Sequence, residues 1–413
     1  MLIREVLRQA LRTLLAHRLR AALTLFGFVW GTASVIFLVA WGDGVRVMFE
    51  RGFSRSGRNM GAIVAGRIGE DFTAAADRRW LWLTSDDVEV VRRRARLPVL
   101  VGAETQDFKL ASYRGRALTT DVRGLDPESQ AIRAGRLASG RGISRTDLEH
   151  RRRVAVLGDR LRRKLLGAHG GLGSWIRVAG TPFQVVGLLD PVGVQLQRDG
   201  LEIDDQIWVP LSTFQVYWPR WWTDEPYVKK ILYRVRDRQM YDATRDEMRA
   251  IVADRLGVSR SDDQAVFAWS PIDGMRKIPI DQTRGLMAII SLTTLVIGGV
   301  GVLSMMLDSV HERRQEIGVR LAVGGRRRDV LVQFFLETFC VAGLGGLLGV
   351  GLGVGASLGL GAIDAPDLVP LPVLSGRIIA LAVGVMVAIA LCAGLWPAWR
   401  ATRVDPAVTL RME

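Results

Sequence analysis

The 413-residue chain is poor in the residues that usually carry chemistry: two cysteines and four histidines. Cys340 and Cys392 both lie inside apolar runs, so they offer neither a disulfide framework nor thiolate metal-site spacing. His17, His150, His169 and His311 are scattered and form no ligand set. No Ser-His-Asp, Cys-His or paired-carboxylate arrangement can be assembled into a catalytic centre. The phosphate-cradling pattern G-x-x-x-x-G-K-[ST] is also missing, and the chain opens directly with "MLIREVLRQALRTLL". Nucleotide hydrolysis is therefore expected of another chain. No catalytic, cofactor-binding or metal-binding residue is expected in this one.

What the chain has in quantity is segregated. The mean hydropathy is positive although charged residues make up 24% of the chain, so the apolar and charged residues sit in separate blocks. The net charge of +14 invites a nucleic-acid reading, but Arg is spread along the whole chain rather than gathered on one tail or patch, which argues against it. Four runs are apolar for a membrane's width: Ala21–Gly42, Gly285–Leu307, Val330–Ile363 with Glu337 as its only charge, and Ile378–Trp399. At 1.5 Å per residue the first run, 22 residues long, matches a hydrocarbon layer of about 30 Å, and none of the others is shorter. The first exceeds a secretory h-region and no small-x-small cleavage site follows it, so it reads as an uncleaved anchor.

Arginines near the spans set the orientation. They crowd residues 1–20, the loop after the second span and the C-terminal tail, whereas the loop "DAPDLVPLPVLSG" has none. The expected fold class is an α+β membrane protein with both termini cytoplasmic. Its expected order is a basic N-terminal helix (1–20), a first span (21–42), a large extracytoplasmic domain (43–284) and a second span (285–307). A cytoplasmic segment (308–329), a third span (330–363), a short external loop (364–377), a fourth span (378–399) and a tail (400–413) follow.

The external segment reads as a folded domain. "LTSDDVEVVRRRAR" has a capping-box pattern, with Thr84 at the N-cap and Asp87 three residues on. "RVAVLG", "SWIRVAG", "TPFQVVGLLD", "QIWVPL" and "KILYRVRD" read as strands. "YDATRDEMRAIVADRLG" reads as a helix stopping at Gly257. Trp218, Trp221 and Trp222 have two readings, core packing or a surface for a hydrophobic partner.

Between the second and third spans, "HERRQEIGVRLAVGGRRRDV" is denser in charge than topology alone requires. Glu316 and Arg320 stand at i, i+4, and Arg313 and Glu316 at i, i+3, pairs worth about 0.2–0.5 kcal/mol each. Ile317 and Leu321 share a helical face, so the segment could dock to headgroups or to a protein groove. In the third span, Gly345, Gly349 and Gly353 repeat every four residues, as close helix packing in lipid requires. Glu337 is expected to pair with a basic group near the cytoplasmic interface.

This segment, continued through "LVQFFLETFCVAGLGGLLG", resembles the E-R-x-x-E-I-G-x-R-x-A-x-G region of the MacB/FtsX-like permeases of ABC transporters. "RTLLAHRLRAALTLFGFVWGTASVIFLVAWGDGV" resembles the family's first helix. "GRLASGRGISRTDLEHRRRVAVLGDRLRRKLLG" with "GTPFQVVGLLDP" resembles its MacB-type periplasmic core domain, and "WPAWRATRVDPAVTLRME" resembles its end. The resemblance covers nearly the whole chain in order, with Val323-Gly324-Gly325 departing mildly from the family's G-A pair. It implies that Glu312, Arg313, Glu316, Ile317, Gly318, Arg320 and Leu321 lie on a coupling helix contacting an ATPase.

The partners it implies are a separate ABC ATPase that binds ATP and Mg, and a second permease copy, identical or related. A periplasmic adaptor is a further partner it allows, and membrane lipid surrounds the spans. The implied function is the permease subunit of an exporter in the cell's inner (cytoplasmic) membrane, working by mechanotransmission. The alternative is an FtsX-like regulatory complex that activates an external hydrolase or signals to a sensor kinase.

Overall fold

In the computed structural model the described residues are 18–55, 57, 59–72, 79–133, 135–167, 170–196, 200–271, 273, 276, 279–323, 326–363, 365 and 369–401. Helix α1, Arg18–Ser54, does not stop where the first apolar run ends at Gly42. A change from apolar to charged side chains removes the hydrocarbon's grip but not the backbone ladder, so the helix continues. The chain divides into two compact units, residues 1–48 with 279–413, and residues 49–278.

The second unit is a mixed α+β domain. Its strands are β1 (Met60–Ala65), β2 (Leu83–Thr84), β3 (Leu100–Tyr113), β4 (Arg116–Leu125), β5 (Leu137–Gly140), β6 (Val154–Leu157), β7 (Trp175–Val178), β8 (Thr181–Leu189), β9 (Gln206–Pro210), β10 (Tyr227–Val228), β11 (Lys230–Arg234) and β12 (Val266–Trp269). The helices between them are α2 (Ser85–Arg94), α3 (Pro127–Ile132), α4 (Arg145–Glu149), α5 (Asp159–Leu165), α6 (Leu211–Tyr217) and α7 (Tyr241–Leu256). The main sheet runs β12-β1-β11-β3-β4-β9-β6-β8-β5, with β7 pairing β3 and β8. Most of its pairs are antiparallel, while β4–β9 and β6–β8 are parallel.

Local chemistry accounts for the element ends. Thr84 and Asp87 close a complete capping box on α2, and Gly257 ends α7 in the left-handed conformation at φ 66°. Tyr233, Tyr241 and Met248 form one apolar cluster with α2, α7 and the β1–β11 side. Phe183, Ile207 and Phe214 form another around β6 to β9. The three tryptophans separate: Trp218 packs on Phe183 and Phe214 at 5.6 and 5.0 Å, whereas Trp221 is 92% exposed.

Between the two clusters the sheet buries charge. Glu104 on β3 meets Arg123 on β4 at 2.7 Å, Lys230 on β11 at 2.9 Å and Arg133 beyond α3 at 2.5 Å. Asp121 holds the other edge of Arg123 at 2.8 Å. Burial by itself would raise the Glu104 pKa, but Arg133, Lys230 and Arg123 together outweigh it and hold it down at about 2.

The first unit contains, besides α1, the helices α8 (Ile280–Glu312), α9 (Arg314–Ala322), α10 (Arg327–Gly361) and α11 (Gly376–Ala401). Four stretches are long and apolar enough to cross a membrane: Leu25–Ser54, Gly285–Glu312, Arg327–Gly361 and Gly376–Trp399. Phe28, Ile36, Leu295, Val302 and Ala382 are fully buried among them, while Ile289, Ile297, Leu347 and Leu348 face outward. That distribution suits a hydrocarbon solvent. Several of their hydroxyls bond back along the helix, as Ser291 to the Met287 carbonyl at 2.7 Å and Thr338 to that of Phe334 at 2.9 Å.

Along the packing face of α10, a Cβ on Gly345 would lie 2.8 Å from the Phe28 side chain. One on Gly349 would lie 2.7 Å from Thr32 and from the Val29 carbonyl oxygen, and one on Gly353 3.0 Å from the Ala33 oxygen. Beyond α10, Trp41 donates its indole N–H to the Pro370 carbonyl at 3.0 Å, and the Val373 N–H reaches the Ala40 carbonyl at 2.8 Å. The loop is thereby tied to α1.

Two outcomes follow from this packing. Glu104→Gln is expected to lower the unfolding free energy by about 3–5 kcal/mol, because it leaves buried cations unneutralised; urea midpoints of the full chain in detergent measure it. The Glu104 pKa is depressed on folding from 4.5 to about 2, so its stabilisation is complete above pH 4.5 and is lost as pH falls toward 2. The variant should lack that acid-sensitive component. Gly349→Leu is expected to cost about 1–3 kcal/mol by overpacking against α1, seen as a lower thermal midpoint in the same detergent.

Candidate coupling segment of the membrane unit

The charged segment grows out of the second membrane helix. Val302, Met306 and Val310 continue one buried face down α8, while Asp308, His311 and Glu312 are exposed beside it. The helix is interrupted only at Arg313, with φ −97° and ψ 13°. The Arg313 N–H still reaches the Ser309 carbonyl at 3.2 Å, and the Ile317 N–H reaches the Arg313 carbonyl at 3.0 Å. The bend between α8 and α9 is thus confined to one residue. Two continuous hydrogen bonds across it limit how far the two helices can splay.

Two anchors hold α9 to the unit. Ile317 is 4% exposed and belongs to the cluster that contains Val310, Val330 and Phe334; Gly318 beside it is buried. Arg313 lies 3.6 Å from the Glu337 carboxylate on α10, whose side chain is 6% exposed. This distance is an ion pair rather than a hydrogen bond. A carboxylate withdrawn from water beside lipid-length helices is costly alone, and the guanidinium offsets that cost. The pairing expected of Glu337 is therefore found, and its partner is Arg313.

The outward side is different from the one the sequence suggested. Ile317, half of the expected Ile317–Leu321 stripe, points into the unit's own core. Val319 and Val323 are 48% and 84% exposed and are apolar residues that α9 presents outward. Two residues along a helix turn about 200°, so a buried Ile317 places Val319 on the opposite side. That was the available signal. Arg326, Arg327 and Arg328 are exposed at the start of α10. The side chains of Glu316, Arg320 and Leu321, and residues Gly324 and Gly325, lie outside the described residues. Glu312 is exposed next to the bend. No group of three or more metal-ligating side chains is found among the described residues.

A mixed α+β domain carried in the chain between the first and second of four membrane-length helices, with a charged helical bend between the second and third, defines a polytopic membrane protein of the permease class. Residues 21–251 match the family model for a MacB-like periplasmic core domain, and residues 288–406 match that for an FtsX-like permease C-terminal domain. The chain belongs to the MacB/FtsX-like permease family of ABC transporters, as a membrane protein with an extracytoplasmic domain.

Among similar proteins, a macrolide export ATP-binding/permease protein MacB from Bdellovibrio bacteriovorus is 31% identical over 99% of this chain and 62% of its own length. One of the same name from Azoarcus sp. is 34% identical over 99% of this chain and 60% of its own. The chain thus spans about three fifths of the length of these curated relatives. The crystal structure of the periplasmic region of MacB from Actinobacillus actinomycetemcomitans aligns at 14% identity and a TM-score of 0.43, covering 55% of this chain and 95% of that one.

The ion pair at the bend sets a measurable coupling. Arg313→Glu and Glu337→Arg are each expected to destabilise the membrane unit. The double reversal should recover about 0.5–3 kcal/mol relative to the sum of the singles, read from thermal midpoints in detergent.

Proposed function

We propose that the chain is the transmembrane subunit of an ABC-type exporter in the cytoplasmic membrane. It works by mechanotransmission, receiving force at α9 and delivering it to the extracytoplasmic domain. The force comes from an ABC ATPase on a partner chain, which binds ATP and Mg. None of these 413 residues forms a phosphate-cradling P-loop, which supports placing that chemistry elsewhere. A second permease copy completes the assembly, and an adaptor on the outer side is a further partner.

One observation supports the reading above the others: the charged segment is bound to the membrane helices rather than hanging from them. A loop that only set topology would need arginines, not a buried Ile317 and an ion pair to α10. With those anchors, a push on the exposed side of α9 is carried to α8 and α10 instead of being absorbed by a slack loop. The exposed Val319 and Val323, flanked by Arg326–Arg328, form an apolar spot in a basic surround. Such a spot suits a groove with an apolar floor and acidic rim. Glu312, Glu316 and Arg320 supply the charges that fix orientation in the groove. Export rather than regulation is favoured by the match of the external domain to the MacB-like periplasmic core.

Co-purification of the full chain with its ABC ATPase tests this. Val319→Asp, and charge reversal at both Glu316 and Arg320, are each expected to reduce the captured ATPase at least tenfold, the loss typical of a contact worth about 2 kcal/mol. Membrane insertion should be unchanged. Undiminished capture by both variants would overturn the coupling role.

A further inference from the structure

A cleft in the α+β domain has a volume of about 540 Å³ and opens beside Ser54, the last residue of α1. It is lined by four arginines, Arg55, Arg133, Arg136 and Arg234, and by one acidic residue, Asp190. Such an excess of positive charge in a concave site is unusual. Like charges converging on a cavity repel one another and cost stability unless an anion sits among them.

The four arginines differ in how they are held. Arg133 is 4% exposed, and Glu104 grips its Nε and Nη2 at 2.5 and 2.7 Å, so it is a fixed element of the wall. Arg55 donates to the Val194 carbonyl at 3.3 Å. Arg234 donates to the Ala131 carbonyl, a neutral acceptor that leaves its charge uncompensated. Neither Arg234 nor Arg136 has an ion-pair partner among the described residues, and Arg136 is exposed. The backbone at Arg136 is itself fixed, because its carbonyl accepts the Asp190 N–H at 2.8 Å. Leu137 adds an apolar edge and is 40% exposed.

We propose that this cleft binds a phosphate-bearing anion, either a free phosphate compound or the phosphate headgroup of a lipid-like molecule. Planar guanidiniums present paired N–H donors that match two phosphate oxygens at once. A volume of this size holds a phosphate with a small attached group. Arg136 and Arg234, neither of them in an ion pair among the described residues, are the two charges that turn onto the ligand, Arg234 leaving a neutral carbonyl to do so, while Arg133 is a fixed part of the wall whose charge is shared with Glu104. The site needs neither nucleotide nor ATPase, so its test is independent of the coupling proposal above.

Isothermal titration calorimetry on the full chain in an uncharged detergent tests it. The probes are inorganic phosphate, a short-chain phosphatidylglycerol below its micellar concentration, and the matching zwitterionic phosphatidylcholine. Arg136→Ser is expected to weaken binding about tenfold or more, the usual effect of losing a charged hydrogen bond. The double variant Arg136→Ser/Arg234→Ser should abolish binding. Arg163→Ser, an exposed arginine on α5 outside the cleft, should leave it unchanged. Saturable binding of inorganic phosphate that the phosphatidylglycerol does not exceed supports a free phosphate compound. Binding of phosphatidylglycerol alone, or more tightly than phosphate, supports a headgroup. No binding of either, equal binding of the zwitterionic lipid, or insensitivity to Arg136→Ser overturns the proposal.

Discussion

A polar group withdrawn from water has to meet a partner, and both units of this protein are arranged around that requirement. In the hydrocarbon layer the peptide groups have no water to turn to, so four stretches of the chain are helical and several of their hydroxyls, Ser291 and Thr338 among them, bond back to carbonyls of their own helix. The same requirement brings Glu337 to Arg313. In the external domain it brings Arg123, Arg133 and Lys230 around Glu104 at the middle of the sheet. Each pair is specific in geometry because the alternative, an unpaired buried charge, costs several kcal/mol.

These two polar nodes sit where elements distant in sequence must agree. Glu104 joins β3 to β4, β11 and the residue after α3, between the two apolar clusters of the domain. Glu337 joins α10 to the bend between α8 and α9. Apolar packing tolerates small slips of one helix or strand on another. An ion pair in a low-dielectric site tolerates them poorly, because its energy falls with distance and no water fills the gap. The proposed force-transmitting role gains from such stiffness at the bend. Close glycine packing between α10 and α1 serves the same end, since backbones in direct contact leave little room for side-chain rearrangement.

Much of the architecture was legible in the chain itself. Four apolar runs declared four spans, the capping box at Thr84 and the stop at Gly257 marked two helices, and the five apolar runs read as strands are β6, β7, β8, β9 and β11. The long hairpin of β3 and β4 was not legible. Its buried positions include Glu104, Gln106, Asp121 and Arg123, and alternation can be recognised only when inward residues are apolar. The ends of α1 and α8 were not legible either, for a related reason. Composition reports where hydrocarbon ends, while a helix ends only where its backbone ladder is broken.

The sequence alone therefore determined the four membrane-length spans and the presence of a mixed external domain, because these follow from solvent preference and local backbone chemistry; the family was legible only through the resemblance of its motifs. Tertiary structure decided which charges pair with which, that Ile317 faces inward and Val319 outward, that Trp218 is core while Trp221 is surface, and that arginines from three separate stretches of the chain line one cleft. Those outcomes depend on distances between residues remote in sequence. No local pattern encodes such distances.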